Sequence, residues 1–133
     1  MRYLIQSGAT FLTPYVAIGV AASLGAILRY VVGTVSGRIF GTGFPVGTFI
    51  INLTASLSLG WFLAVAQTRG VSDTVRLAVA VGFIGTYSTF STFAYESSAL
   101  LEEGAGIKAL GYMLGSLVGG VVAVRLGMAL AAH

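Results

Sequence analysis

Apolar residues fall in four long blocks along this chain, and charged residues are confined to the gaps between them. Residues 3–28 carry no Asp, Glu, Lys or Arg. The same holds for 39–68, for 77–95, and for 109–124, which continues beyond Arg125 as 126–132. A bilayer core of ~30 Å is crossed by about 20 helical residues, and each block is long enough. The pattern predicts membrane-spanning helices near 12–33, 46–67, 76–99 and 108–131. Pro45 suits the start of the second, because a first-turn proline costs no helical hydrogen bond. Arg69, Gly70, Ser72 and Asp73 mark the second connection, and Glu102, Glu103, Gly104 and Gly106 the third. Arg2 followed by an apolar run has the look of a secretion signal. The run exceeds the roughly 7–15 residues of such a signal's apolar core, so it reads as a span. The fold class is therefore all-α integral membrane protein, one four-helix domain over residues 1–133.

Composition agrees. Charged residues make up 8% of the 133 and hydrophobic ones 56%, with a mean hydropathy of +0.95. A soluble domain carries about 25% charged residues, so lipid must be the solvent. The absence of cysteine excludes disulfides and thiolate metal sites. The one histidine, His133, is terminal and is a poor ligand candidate. The net charge of +3 is scattered singly over segment ends, a membrane pattern and not a nucleic-acid one.

Charge also bears on orientation. The side with the N-terminus, second connection and C-terminus holds Arg2, Arg69, Arg76 and Arg125; the other side holds Arg29, Arg38 and Lys108. Lys and Arg bias sets membrane orientation. A near balance of this kind allows insertion both ways, and two opposed copies would form an antiparallel, dual-topology homodimer resembling inverted transporter repeats.

Small residues recur at helical spacing: Gly33, Gly37 and Gly41; Ser56, Gly60 and Ala64; Gly111, Gly115 and Gly119. Such ridges let membrane helices approach closely. The third span is less ordinary. Between Gly82 and Phe93 it holds two glycines and five serine or threonine hydroxyls. Gly costs about 1 kcal/mol relative to Ala in a helix, and Ser and Thr compete for its backbone groups. Two readings stand: a break around 85–89, which must face protein, water or an ion, or an intact helix whose hydroxyls bond the preceding turn. Phe90 and Phe93 share a helix face. Their positive ring edges suit a small anion, although phenylalanines so spaced also serve plain packing.

Thr48, Asn52 and Ser56 form a polar stripe on the second span, and Tyr112 and Ser116 another on the fourth, followed by Gly120. An amide such as Asn52 can donate to an anion or to a neighbouring carbonyl. Interhelical bonding, averaging about 0.6 kcal/mol, is the plainer use. Arg29, Glu96 and Arg125 lie near span ends, where long side chains snorkel to the interface. Arg29 and Arg125 are alternatively placed to line anion-attracting mouths.

The stretch Gly82-x-x-Gly85-x-x-Ser88-Thr89-Phe90-Ser91-Thr92-Phe93-x-x-Glu96 resembles the signature of the Fluc/CrcB family of fluoride ion channels. So do Pro45-x-Gly47-Thr48-x-x-x-Asn52 and Gly25-Ala26-x-x-Arg29-Tyr30. The three lie in order on three of the four spans, and the resemblance covers essentially the whole chain. It implies a dual-topology homodimer in the cell's inner (plasma) membrane, with two pores that pass fluoride out of the cytoplasm and give fluoride resistance. It also implies a structural sodium ion at the dimer centre, held by backbone carbonyls of Gly85 and Ser88. By position, Phe90, Phe93 and Asn52 would line the fluoride path. Tyr112 and Ser116 would continue it, Thr48, Thr89 and Thr92 would add hydroxyls, and Arg29 would stand in the vestibule. The chain departs from the family pattern at Ser88, usually threonine, at Tyr87, commonly small or apolar, and around Gly19–Ala22, where a glycine pair is not intact.

Two rivals come from other classes. A small multidrug exchanger is also an antiparallel four-helix dimer, but it needs a membrane-embedded carboxylate; the first span has no acid, and Glu96 reads as lying near a helix end. A non-transporting assembly subunit would use the packing glycines but leave three polar stripes without purpose. No nucleophile–base pair or metal cluster suggests an enzyme.

Overall fold

A computed structural model describes residues 2–132, with side chains from residue 12 onward; Arg2's side chain and His133 therefore lie outside the described part. The elements are α1 (Arg2–Phe40), α2 (Val46–Thr68), α3 (Asp73–Arg76), a π-helix (Leu77–Ile84), α4 (Gly85–Tyr87), α5 (Phe90–Glu102) and α6 (Gly106–Leu130). Four helical stretches are long and apolar enough to cross a membrane: Leu12–Phe40, Val46–Thr68, Asp73–Glu102 and Gly106–Leu130.

The first stretch outruns the span expected from sequence. It passes position 33 and stops only at Phe40, where Gly41 adopts a left-handed φ of 75°. At 1.5 Å per residue, its 29 residues extend about 43 Å, more than the ~30 Å hydrocarbon core. It must tilt or protrude. The third connection turns on Gly104, also left-handed at φ 73°.

The helices touch through glycines, though not chiefly those of the expected ridges. α2 packs mainly on α6, and α1 on the π-helix. At the first crossing a Cβ on Gly60 would overlap the Val124 carbonyl oxygen, and one on Gly127 the Leu57 carbonyl oxygen. At the second, a Cβ on Gly25 would overlap the Phe83 carbonyl oxygen, and one on Gly82 would stand 2.8 Å from that of Ile18. Backbone meets backbone at both crossings, so no side chain can be added. Of the ridge residues, Gly60, Gly115 and Gly119 do meet a neighbouring helix, whereas Gly37, Gly41 and Gly111 face open space within this chain.

Two small cores result. Ile51, Ala55, Ile84 and Tyr87 form one, and Leu100, Ala109 and Tyr112 the other. Large apolar side chains of α1 and α6, among them Val20, Leu24, Leu117 and Val121, stay exposed. In a membrane protein that surface is available to acyl chains.

Candidate functional site

The third span changes its hydrogen bonding twice. Over Leu77–Ile84 it is a π-helix, and the Gly85 N–H reaches back to the Ala80 carbonyl. π segments are often found at functional sites. Gly85–Tyr87 completes one α turn, closed by Ser88 N–H on the Ile84 carbonyl at 3.0 Å. Ser88 and Thr89 are then extended, at φ −73°, ψ 160° and φ −152°, ψ 116°, before α5 begins. Gly85 itself keeps helical angles.

Backbone groups at such a step need partners, since an unsatisfied one in lipid costs several kcal/mol. Asn52 of α2 supplies two. Its Oδ1 accepts from the Thr89 N–H at 2.9 Å, and its Nδ2 donates to the Thr89 carbonyl at 3.2 Å. The Thr89 N–H would, in a continuous helix, belong to the Gly85 carbonyl. The side chain of Thr89 caps α5 in the usual way for its residue type: Oγ1 accepts from the Thr92 N–H at 3.3 Å and bonds the Thr92 hydroxyl at 2.9 Å. Thr86 bonds back to the Gly82 carbonyl, and Tyr87 meets Thr54 hydroxyl to hydroxyl at 2.9 Å.

Two cavities flank this Asn52–Thr89 bridge. The larger, of about 470 Å³, opens among α1, α2 and α5 and is bordered by Arg29, Thr48, Thr89, Thr92 and Glu96. The Arg29 guanidinium reaches the Ser88 carbonyl at 3.4 Å, so it turns toward the extended residues instead of snorkelling. The smaller, about 320 Å³, is bordered by Asn52, Ser56, Phe90, Phe93, Ser116 and Gly120. Phe90 and Phe93 have ring centroids 5.8 Å apart, and Phe90 is 79% exposed. The Ser116 hydroxyl is buried without a hydrogen-bond partner.

Tyr112 borders neither cavity. It is fully buried, its ring against Phe93 and Phe44 at 5.1 and 5.5 Å, and its hydroxyl donates to Glu96 at 2.7 Å. The other Glu96 oxygen accepts from Thr48 at 2.8 Å. Glu96 thus joins three spans and does not snorkel as its place near a span end suggested. Its position one helical turn beyond Phe93 was the available signal; the two hydroxyls converging on it come from other helices.

Among the described residues there is no cluster of three or more His, Cys, Asp or Glu side chains able to hold a metal ion. The oxygen donors near the extended residues are carbonyls. That of Gly85 has lost its helical N–H and is approached by Ser88 Oγ at 3.5 Å, and that of Ser88 faces Arg29. Carbonyl oxygens ligate hard cations, although the Arg29 guanidinium beside the Ser88 carbonyl opposes one there.

The family model described as "CrcB-like protein, Camphor Resistance (CrcB)" matches residues 16–128. The chain belongs to the CrcB family. Among curated relatives of this CrcB chain, the "Fluoride-specific ion channel FluC" of Chloroflexus aurantiacus (strain ATCC 29366 / DSM 635 / J-10-fl) is 48% identical over 115 residues, 86% of this chain and 91% of the relative. "Fluoride-specific ion channel FluC 2" of Geobacillus kaustophilus is 40% identical over 118 residues, 88% and 92% of the two chains. The "Fluoride-specific ion channel FluC" of Mesorhizobium japonicum is 39% identical over 112 residues, 84% and 90% of the two chains. The CrcB relatives are ion channels and not enzymes, and four spanning helices make this chain a multi-pass membrane protein.

Proposed function

We propose that this protein is a fluoride channel formed by two oppositely inserted copies in the inner (plasma) membrane. It lets fluoride leave the cytoplasm passively and so gives fluoride resistance. The observation that carries the reading is the smaller cavity, where one amide, two phenylalanine rings and an unpartnered hydroxyl converge without a charged group. Fluoride is small and strongly hydrated. Donors and positive ring edges replace its water, and neutral groups do so weakly enough for the ion to leave. Thr89 engages the Asn52 oxygen and one of its amide protons, leaving one N–H as a donor. Hydrogen fluoride enters by crossing lipid and dissociates inside; an inside-negative potential of 100 mV then favours anion exit by ~2.3 kcal/mol.

The second copy is supported by what a single copy leaves uncovered. Gly85, Ser91 and Thr92 are exposed beside Phe90 on a span that should face lipid. The four-to-three division of basic residues supports opposed insertion. Carbonyls of Gly85 and Ser88 from both copies would hold a structural sodium ion between them. Purified dimer should then melt at a higher temperature in sodium than in an equal concentration of N-methylglucamine salt; identical melting would remove the ion from the reading.

The decisive test is reconstitution into liposomes with electrode-monitored anion efflux. Rapid fluoride release with little chloride release is expected. No fluoride release, or equal rates for both ions, would overturn the function.

A further inference from the structure

The hydroxyl line on α6 runs Tyr112, Ser116 and then stops, because the next residue on that face is Gly120. On α2 the residue one turn beyond Asn52 is Ser56. All of Asn52, Ser56, Ser116 and Gly120 border the same small cavity. A Cβ placed on Gly120 would lie 3.6 Å from Ser56 Oγ, so where α6 lacks a side chain the group facing the gap is the Ser56 hydroxyl. We infer that the anion path crosses from α6 to α2 at this point, and that Ser56 is a further fluoride-binding donor. This deepens the fluoride-channel reading and rests on it.

The chemistry follows from what each hydroxyl already does. Tyr112 is committed to Glu96, whereas the Ser116 hydroxyl is buried and unpartnered. A serine O–H rotates freely about its C–O bond and can donate to an anion. Ser56 stands four residues, about 6 Å, along α2 from Asn52. A fluoride ion leaving the Asn52 amide and the two rings would therefore meet Ser116 from one wall and Ser56 from the other. Conduction favours several weak sites in succession over one tight one. Two rotating hydroxyls supply such a step.

The test uses this chain reconstituted in liposomes, with wild type beside Ser56→Ala, Ser56→Thr, Ser56→Cys and Gly120→Ser in the Ser56→Ala background. Fluoride efflux is read over a range of fluoride concentrations, and dimer assembly by size-exclusion chromatography. Ser56→Ala should assemble normally yet lose at least tenfold in flux, with half-saturation moved to higher fluoride. Ser56→Thr, which keeps the hydroxyl, should retain most of it. Gly120→Ser should restore several-fold of the loss, because it returns a hydroxyl from the opposite wall; a packing role for Ser56 predicts no such rescue. Should Ser56→Ala fail to assemble, Ser56→Cys decides, since a thiol is similar in shape and a poor donor. Flux within twofold of wild type in an assembled Ser56→Ala or Ser56→Cys would overturn the inference with the channel reading intact. Absence of fluoride flux in wild type itself would instead mark failure of that reading.

Discussion

The two cavities on either side of the Asn52–Thr89 bridge are built from different chemistry. The larger is bordered by Arg29 and by the carboxylates of Glu96 and Glu103, together with threonine hydroxyls. The smaller holds no ionisable side chain; its polar atoms belong to Asn52, Ser56 and Ser116, and its rings to Phe90 and Phe93. At the larger cavity Arg29 attracts anions, whereas the carboxylates of Glu96 and Glu103 repel them. Charge in a narrow apolar passage would bind the ion too firmly or repel it outright, because fields are far less screened there. Under the fluoride-channel reading, the neutral cavity is the one suited to passing an anion. Asn52 stands between the two: its amide pairs with the Thr89 backbone and also borders the small cavity.

Fixing the orientation is the most drastic way to break this reading. Three lysines added to the connections on one side of the membrane should abolish fluoride flux of that version expressed alone. Co-expression with the oppositely biased version should restore it, as read in liposomes; full flux from either alone would exclude opposed copies.

Next in size is Asn52→Asp, which imports charge into the neutral cavity and removes a donor to the Thr89 carbonyl. Two like charges about 4 Å apart repel by ~4 kcal/mol at an effective dielectric of 20, so flux should fall roughly a thousandfold. Asn52→Ser should fall less, separating repulsion from loss of the bridge. Phe90→Ile and Phe93→Ile keep bulk but remove the ring edge. Each should cost at least tenfold in flux, about 1.4 kcal/mol at the barrier, while the dimer still assembles. Near-normal flux in both would reduce the rings to packing.

Arg29→Gln should give the smallest effect and the one most sensitive to salt. A gathering charge acts on approach, so flux should fall several-fold at low ionic strength. The deficit should narrow near 1 M salt, where screening acts within about 3 Å. A deficit independent of salt would assign Arg29 to holding the Ser88 carbonyl instead.

Much of the architecture was legible because hydropathy is a local property. Four uncharged blocks predict four spans, and the spans are found with ends shifted by a few residues. The largest shift is at α1, which runs on past position 33 to Phe40. Gly33 stays helical, and the left-handed Gly41 ends the helix. The glycine ridges were half legible for the same reason. Spacing identifies a face but not the neighbour it meets, so Gly25, Gly82 and Gly127 were missed as crossing points and Gly37 and Gly111 were overvalued. Glu96 was misjudged because its partners lie 48 residues before it and 16 after it in sequence.

By itself, then, the sequence determined the solvent, the number of spans, the polar stripes and the family. Each of these depends on residue identity and short-range spacing alone. Tertiary structure decided which polar groups are already satisfied. Tyr112 and Thr48 are engaged by Glu96, and the Asn52 amide is shared with the Thr89 backbone, while Ser116 is left unpartnered beside Ser56 and two rings. A hydroxyl's availability to an ion is a property of everything within about 3 Å of it, and in a helical bundle those neighbours come from other helices.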